Sequence, residues 1–366
     1  MPTIRVLVVD DSAVIRRLLC DVLAEDPEIQ VASTAPNGSI ALAKIPQVNP
    51  DLVTLDIEMP VMDGLQTLKE VRKLYPKLPV VMFSTLTERG ATATLEALAL
   101  GASDYVTKPS NTDSSEGAKD QVRQSLIPKI KSLAGKRISI VRAEKPALVK
   151  RAVNRRIDVL AIGTSTGGPN ALGAVIPKIP ANFPVPIVIV QHMPPLFTRF
   201  LADRLNNLSG LQVHEAEAGT RLEPGHAWIA PGDYHLEVVR KGTSVVLELN
   251  QGAPENSCRP AVDVLFRSVA RTYGPNTLAL VMTGMGSDGL RGSESIREAG
   301  GEVFVQDEET SVVWGMPGAI ASAGQADRIY PLDRIGQELV RHVLSSRSQA
   351  GPAQPIQQAG QFSSRV

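Results

Sequence analysis

The stretch Val6-Leu-Val-Val-Asp-Asp-Ser12 contains the first clear structural signal of the chain. Four apolar residues, three of them β-branched, form a run of strand length and are followed at once by two carboxylates. Similar runs recur through the N-terminal third, and an amphipathic helical pattern follows each of them. The five predicted strands are Ile4–Val9, Ile29–Ser33, Leu52–Leu55, Val80–Phe83 and Asp104–Thr107. This alternation predicts a parallel sheet with helices on both faces.

The predicted helices complete a first domain at residues 1–134. Four of them lie between the strands and a fifth follows the last strand: Val14–Leu23, Ser39–Ile45, Leu65–Leu74, Ala91–Leu100 and Ala118–Leu133. The fold class is therefore α/β, with a five-stranded doubly wound sheet of the flavodoxin-like kind. Ligands of such sheets bind at the carboxyl ends of the strands.

Polar residues stand at the carboxyl ends of several of these strands. Asp10 and Asp11 follow the first strand and Asp56 follows the third. Three carboxylates at one sheet edge repel each other unless a cation lies among them, and Mg²⁺ suits such a set of oxygen ligands. Ser84 ends the fourth strand and Lys108 follows the fifth, where they could hold the oxygens of a phosphoryl group on Asp56. Helix capping alone would explain the first two aspartates but not all five residues.

Four motifs carry a resemblance to a known family: Val8-Val-Asp-Asp-Ser12, Asp56-Ile-Glu-Met-Pro60 with Asp63-Gly64, Ser84-Thr85 and Val106-Thr-Lys-Pro109. Together they resemble the receiver domain of two-component response regulators. The resemblance implies that Asp56 is the phosphoacceptor, that Ser84 and Lys108 contact its phosphoryl group, and that a histidine kinase is the phosphodonor. It also implies a Mg²⁺ site made by Asp10, Asp11, Asp56 and the carbonyl of Glu58. Tyr105 resembles the switch aromatic, although ordinary packing on an edge strand would explain it equally well.

Composition limits the classes of function. The 366 residues have a formal net charge of zero, whereas a nucleic-acid-binding protein normally has a basic excess. Two cysteines cannot form a disulfide framework, so a cytoplasmic location is expected. The N-terminus shows no signal-peptide pattern, and no apolar run approaches the ~20 residues of a membrane span. We therefore expect no nucleic-acid partner and no direct membrane insertion.

A second α/β pattern follows a basic linker, predicted at residues 135–152. It occupies residues 153–347, with strands at Ile157–Ile162, Val185–Val190 and Leu278–Met282 and a closing helix at Arg334–Leu344. Short strands near Trp228–Ala230, His235–Val239 and Val245–Leu249 suggest a small antiparallel insert within a mostly parallel fold. The tail, residues 348–366, is rich in Ser, Gln, Gly, Pro and Ala and is expected to be disordered.

The turn Gly163-Thr-Ser-Thr-Gly-Gly-Pro169 follows the first strand of this domain and precedes a helical pattern. Strand, tight glycine turn and helix is a context that exposes a serine nucleophile, here Ser165. The N–H groups at the start of the next helix could stabilise an oxyanion. A phosphate-cradling loop and a purely structural turn remain alternatives, although the turn lacks the lysine of a P-loop.

A serine nucleophile needs a base and an orienting acid. His226 belongs to a predicted turn and His342 to the last helix, whereas His192 follows the run ending at Val190, at the edge where Ser165 should emerge. Asp288 lies in a second glycine-rich turn, after Leu278–Met282, and is the candidate acid, although it could also cap the next helix. Nucleophile-elbow hydrolases have the order Ser, acid, His, so that fold is excluded.

These segments carry a second resemblance. They are Gly163–Pro169, Val190-Gln-His-Met-Pro194, Ile229-Ala-Pro-Gly232, Asn256-Ser-Cys-Arg-Pro-Ala-Val-Asp263 and Thr283-Gly-Met-Gly-Ser-Asp-Gly289. They resemble the catalytic domain of the chemotaxis methylesterase family, CheB. The resemblance implies the triad Ser165, His192 and Asp288, with Thr166 and Met285 beside the oxyanion site and Arg259 in the substrate cleft.

The same resemblance implies a function. The enzyme would hydrolyse glutamate γ-methyl esters on chemoreceptors, with no cofactor for the ester chemistry, and would deamidate receptor glutamines. Phosphorylation of Asp56 would shift a receiver domain that covers the cleft of Ser165. Cys258 could be taken for a nucleophile, but a structural cysteine is the better interpretation.

Overall fold

The computed structural model describes residues 3–109, 115–134 and 155–349. The predicted linker, residues 135–152, lies outside the described residues, and so does the predicted tail apart from Ser348 and Gln349.

The N-terminal sheet has the predicted five strands. They are β1 Ile4–Val9, β2 Ile29–Ala35, β3 Leu52–Asp56, β4 Val80–Ser84 and β5 Asp104–Thr107. All of them pair in parallel in the order β2-β1-β3-β4-β5. Residues of β3 and β4 are buried throughout because helices cover both faces of the sheet. The doubly wound prediction is confirmed.

Five helices surround this sheet: α1 Ala13–Ala24, α2 Gly38–Val48, α3 Gly64–Leu74, α4 Glu88–Ala99 and α5 Ser115–Ala134. The first four begin after a polar residue whose side chain accepts a hydrogen bond from the first turn. Asp63, before α3, forms a complete capping box with Gln66. These caps fix where each helix starts and hence where each strand end opens.

The C-terminal sheet has seven strands, all parallel. They are β6 Val159–Thr164, β7 Ile187–Gln191, β8 Gln212–Glu215, β9 His226–Ile229, β12 Thr277–Val281, β13 Glu302–Gln306 and β14 Arg328–Tyr330. Their order is β14-β13-β12-β6-β7-β9-β8. β6, which leads to Ser165, therefore lies at the centre between β12 and β7. The strands leading to Ser165, His192 and Asp288 are adjacent in the sheet.

Helices cover this sheet, and a hairpin lies outside it. The helices are α6 Gly168–Val175, α7 Phe197–Leu208, α8 Val262–Tyr273, α9 Leu290–Glu298, α10 Met316–Ser322 and α11 Leu332–Gln349. The hairpin consists of β10 His235–Lys241 and β11 Ser244–Asn250, paired antiparallel. Leu236, Val238 and Leu247 of the hairpin are buried in the same apolar cluster as α8.

Two predictions about the insert were wrong. The strand near Trp228–Ala230 is β9, which pairs in parallel with β7 and β8 and belongs to the main sheet. His226 is the first residue of this strand rather than part of a turn. Strand partners are non-local, and a short apolar run does not reveal which strand it pairs with. The segment before β9 instead contacts the hairpin through Gly219 N–H to Leu247 O (2.8 Å) and Leu222 N–H to Val245 O (3.0 Å).

The two domains contact each other through α4 and β5 of the first domain. The Asn170 side chain donates to the backbone carbonyl of Leu98 (2.7 Å), and Arg204 donates to that of Leu95. The ring of Tyr105 stacks on Phe197 with centroids 4.9 Å apart. Both tyrosine and phenylalanine are buried at this contact.

Candidate active site

The carboxyl ends of β1, β3 and β5 bring three charged side chains together. Lys108 Nζ lies 2.8 Å from Asp56 Oδ1 and 3.0 Å from Asp10 Oδ2. Both aspartates are almost fully buried. Burial raises the pKa of Asp56 to about 6, and the nearby charge of Asp10 adds to this against the hydrogen bond from Lys108. Burial also raises the pKa of Asp10.

The acidic residues of this edge fit a divalent cation. Carboxylate oxygens of Asp10, Asp11 and Asp56 lie within 4.8 Å of one another. Asp56 Oδ2 is buried and has no hydrogen-bond partner, so one oxygen is available for a ligand. An all-oxygen set with an exposed member, Asp11, suits Mg²⁺. The Glu58 side chain is not part of this set and pairs with Arg89 (3.3 Å).

Ser84 and Tyr105 are near the site but contact other groups. The Ser84 hydroxyl donates to the backbone carbonyl of Gly90 in α4 (3.2 Å) and forms no hydrogen bond with Asp56 among the described residues. Tyr105 points inward, and burial raises the pKa of its hydroxyl well above the usual range. Tyr105 does more than pack against its own sheet, because its ring stacks on Phe197 of the second domain.

Ser165 stands in the turn between β6 and α6. Its N–H donates to Thr283 O (3.1 Å), and its carbonyl accepts from Gly168 N–H (2.8 Å). Gly167 has a φ of +77°, a conformation that glycine adopts at little cost. Gly284 packs against the serine so closely that an added Cβ would lie 2.9 Å from Ser165 Cβ. Two glycine turns therefore leave room for this side chain, which is half-buried.

His192 and Asp288 meet beside this turn. His192 Nε2 lies 2.7 Å from Asp288 Oδ2, and both side chains are largely buried. Burial acts against the charged forms, but the hydrogen bond outweighs it, raising the pKa of His192 and lowering that of Asp288. The Asp288 carboxylate therefore stabilises the charged form of the imidazole, which arises when His192 takes up a proton.

The other ring nitrogen of His192 faces Cys258. Nδ1 lies 3.5 Å from Cys258 Sγ. Within the described ranges, no hydrogen bond joins the Ser165 hydroxyl to either nitrogen of this ring. The structure thus brings together the predicted base and acid next to the predicted nucleophile, while the base contacts a thiol instead of the serine.

Backbone donors are available near Ser165. In the described part of the chain, the N–H groups of Thr166, Gly167 and Met285 donate to no other group. Orphan N–H groups at the start of a helix attract an oxyanion. The positions predicted for the oxyanion site, Thr166 and Met285, both lie on turns at the ends of neighbouring strands.

A cavity of about 460 Å³ opens between the domains next to His192. The C-terminal domain contributes Cys258 and Arg259 to its lining, and the N-terminal domain contributes Tyr105 and Lys129. The Arg259 guanidinium is not free, since it pairs with Asp233 (2.6 Å) and donates to the carbonyl of Gly252 (2.9 Å). Arg259, which was predicted to lie in the substrate cleft, therefore lines this cavity. Its guanidinium already pairs with Asp233 and Gly252.

Sequence reasoning missed the contact between the receiver domain and the nucleophile turn. The Thr166 hydroxyl donates to Asp104 Oδ2 (2.8 Å), and Lys129 Nζ lies 2.7 Å from the same carboxylate oxygen. Asp104 begins β5 and looks like an ordinary strand-boundary residue in the sequence. The residue adjacent to Ser165 is thus hydrogen-bonded to the first domain.

Family comparisons agree with this geometry. A family model described as CheB methylesterase matches residues 160–339, and one described as response regulator receiver domain matches residues 6–116. A protein-glutamate methylesterase/protein-glutamine glutaminase from Trichodesmium erythraeum is 52% identical over 351 residues, covering 94% of this chain and 100% of that protein. The chain belongs to the CheB methylesterase family.

Other members of the CheB family are similarly close. A protein of the same description from Nocardioides is 51% identical and covers 96% of this chain and 99% of its own length. The Thermotoga maritima CheB methylesterase catalytic domain, a crystal structure, is 44% identical, with a TM-score of 0.50 over 51% of this chain and 99% of that one. The predicted family, fold class and type of enzyme, a carboxylic ester hydrolase, are confirmed.

The helices of the described ranges differ from membrane-spanning segments. None of them combines the length and the apolar character that crossing a bilayer requires.

Proposed function

We propose that this chain is a phosphorylation-regulated serine hydrolase that demethylates glutamate γ-methyl esters on chemoreceptors, with release of methanol, and deamidates receptor glutamines. The single observation that supports it best is the 2.7 Å contact between His192 and Asp288 beside Ser165. Family membership supplies the substrate class, since the similar proteins are named protein-glutamate methylesterase/protein-glutamine glutaminase.

In the proposed reaction, the Ser165 hydroxyl attacks the ester carbonyl and His192 takes its proton. Asp288 orients the imidazole and stabilises its charged form. The N–H groups of Thr166 and Met285 stabilise the oxyanion. His192 then gives its proton to the leaving methoxide, and water activated by His192 releases the glutamate from the acyl-enzyme. This sequence requires the His192 ring to exchange its contact with Cys258 for one with Ser165.

The receiver domain provides the proposed control. Asp56 accepts the phosphoryl group from a histidine kinase. Asp10, Asp11 and the Glu58 carbonyl would join Asp56 in holding Mg²⁺, which would neutralise the charge of the incoming phosphate when bound. Lys108, already 2.8 Å from Asp56, would contact the phosphoryl oxygens. Ser84 would join it after leaving the carbonyl of Gly90.

The contact between the domains supports a covered resting state. Thr166, next to the nucleophile, bonds to Asp104 of the receiver domain, and Tyr105 stacks on Phe197. Phosphorylation of Asp56 would favour an arrangement in which these contacts open and the cleft accepts a receptor helix. The domain boundaries proposed for this switch are 1–134 and 153–347.

We place this enzyme in the cytoplasm, as a receptor-adaptation enzyme of a chemotaxis-type pathway. Its kinase and the methylated receptor helices would be found in that compartment. Both cysteines are free thiols, which is compatible with reducing conditions.

Methanol release from a methylated receptor fragment tests the proposal. The full chain is assayed with and without Mg²⁺ plus a small phosphodonor, and Ser165→Ala is the control. We expect release that increases with phosphodonor and is lost in Ser165→Ala. No release by the wild-type chain would refute the esterase, and an unchanged response in Asp56→Ala would refute its regulation by that residue.

A further inference from the structure

The acid of the proposed triad lies beside a second buried carboxylate. Asp263, near the start of α8, is 1% exposed and Asp288 is 2% exposed. The Asp263 backbone N–H donates to Asp288 Oδ1 (3.0 Å), so the two residues are in direct contact. Burial and the charge of Asp288 raise the pKa of Asp263. Two anions in such surroundings repel each other unless donors neutralise them.

One side-chain nitrogen joins both carboxylates. Asn256 Nδ2 lies 2.8 Å from Asp288 Oδ1 and 2.9 Å from Asp263 Oδ2. The remaining donors to Asp288 are His192 and the backbone N–H groups of Val262, Asp263 and Gly289. The amide of Asn256 is therefore the one side-chain donor, apart from His192, that reaches Asp288 in the described part of the chain.

The backbone of Asn256 is suited to this position. Its φ is +51°, in the left-handed region that asparagine, aspartate and glycine tolerate better than other residues. The residue itself is at the surface, while its amide points inward to the two carboxylates. Asn256 thus contacts the acid end of the His192–Asp288 pair from the surface of the domain.

We propose that Asn256 is a positioning residue for the proposed hydrolase, holding Asp288 ionised and aimed at His192 by bridging it to Asp263. The proposal rests on the triad stated above. Without the bridge, Asp288 would take up a proton more easily because the carboxylate of Asp263 is close and one donor is gone. A protonated Asp288 cannot stabilise the imidazolium that forms when Ser165 loses its proton.

Other charges around Asp288 affect the same equilibrium. They are His192 after β7, His235 at the start of β10, Glu255 on the loop before α8, and Asp263 and Arg267 of α8. Glu255 is neutralised by its ion pair with Arg267 (2.5 Å). Asp263 is the one acid in contact with Asp288 among the described residues that lacks a cationic partner, so its charge dominates the effect.

The test uses two substitutions that keep the left-handed backbone. Asn256→Gly deletes the amide without strain, and Asn256→Asp replaces the donor by a third carboxylate. With phosphodonor and Mg²⁺ present, we expect kcat/KM for methanol release to fall about 10-fold or more in Asn256→Gly, and further in Asn256→Asp, as for the loss of a hydrogen bond to a charged group. The acidic limb of the pH profile should move to higher pH in both.

A rescue separates positioning from simple loop damage. Adding Asp263→Asn removes the second charge, while its side-chain oxygen can still accept from Gly292 N–H (2.7 Å). We expect the double variant Asn256→Asp/Asp263→Asn to regain most of the activity and the original acidic limb. The matched control is Asn206→Ala, which loses a hydrogen bond to Val213 N–H (2.9 Å) far from the triad and should leave the profile unchanged.

Three results would overturn the inference. They are a wild-type rate and pH profile in Asn256→Gly, a loss that is equal at every pH, and a loss that Asp263→Asn does not relieve. Each of them leaves Ser165→Ala inactive. An active Ser165→Ala would instead mean that the proposed triad itself is wrong.

Discussion

At the scale of single residues, Gly284 packs closely against Ser165, the proposed nucleophile. An added Cβ would lie 2.4 Å from Met316 Sδ and 2.9 Å from Ser165 Cβ, closer than real Cβ contacts allow. We expect Gly284→Ala to lower kcat/KM for ester hydrolysis at least 10-fold, because Ser165 must shift. Gly173 of α6 is the matched control, since an added Cβ meets nothing within 4 Å. Gly173→Ala should keep full activity and gain about 0.5–1 kcal/mol of stability. Equal activities of the two variants would contradict this prediction.

The buried carboxyl of Asp56 makes the free energy of unfolding depend on pH. This dependence can be measured without phosphate or Mg²⁺. The pKa of Asp56 is raised to about 6 in the folded chain, against roughly 3.9 when unfolded. Between these values the folded state holds a proton that the unfolded state has lost. The contribution of Asp56 to stability is therefore fully present below pH ~4 and is lost as the pH rises through ~6.

Asp56→Asn should remove this dependence. At pH 7.5 we expect the variant to unfold with a free energy higher by on the order of 1 kcal/mol, and at pH 4 to match the wild type. Urea unfolding at the two pH values measures it. Asp21→Asn, a substitution of a partly exposed aspartate in α1, is the control and should show no such difference. Equal free energies of unfolding for the wild type and Asp56→Asn at pH 7.5 would contradict this prediction. They would mean that burying the ionised Asp56 carboxylate costs less than expected.

The proximity of Asp288, His192 and the turn of Ser165 could be predicted from the sequence because strand ends in a parallel sheet converge. The contacts that modify them could not. Asp104 and Thr166 are 62 positions apart and belong to different domains, so no local pattern links them. Asn256 stands within a sequence motif that does not reveal its two carboxylate contacts, because these depend on its left-handed backbone.

At the scale of elements, α3 depends on its capping box. The Asp63 side chain accepts from Gln66 N–H (2.8 Å), and Asp63 N–H donates to Gln66 Oε1 (3.3 Å). We expect Asp63→Ala to lower the free energy of unfolding of the receiver domain by about 1 kcal/mol, and Asp63→Ser to retain most of it. Thermal unfolding measures both. If Asp63→Ala unfolds at the same temperature as the wild type, the start of α3 is fixed by the packing of buried Leu68 and Val71 and not by the capping box.

Strand identity was predictable, but strand ends and partners were less so. β3 and β4 each extend one residue past the predicted apolar runs, into Asp56 and Ser84, because backbone pairing continues where the side chain becomes polar. β9 was assigned to the wrong sheet, since its apolar pattern fits either a hairpin or a central parallel strand. Patterns identify elements, whereas pairing is decided by the whole domain.

At the scale of the whole molecule, the proposed switch predicts that the activity without phosphodonor depends on the contacts between the two domains. Asn170 and Arg204 of the catalytic domain donate to carbonyls near the C-terminal end of α4. Loss of both hydrogen bonds should favour the open arrangement and raise methanol release without phosphodonor about 10-fold, with a smaller response to phosphodonor. The double variant Asn170→Ala/Arg204→Ala is compared with Asn206→Ala, which lies on the same helix as Arg204 but contacts β8. A basal rate equal to that of the wild type would contradict the covered resting state.

The acceptors of these two hydrogen bonds are main-chain oxygens, and this affects how the interface can change during evolution. Every residue type carries the same carbonyl, so positions 95 and 98 can exchange one helix-forming apolar residue for another without loss of the contact. Sequence changes at positions 95 and 98 are therefore tolerated. Positions 170 and 204, by contrast, must keep side-chain donors that reach these carbonyls. Co-variation between the two domains would be weak here even if the interface were preserved, and a receiver domain transplanted from a relative could still be held.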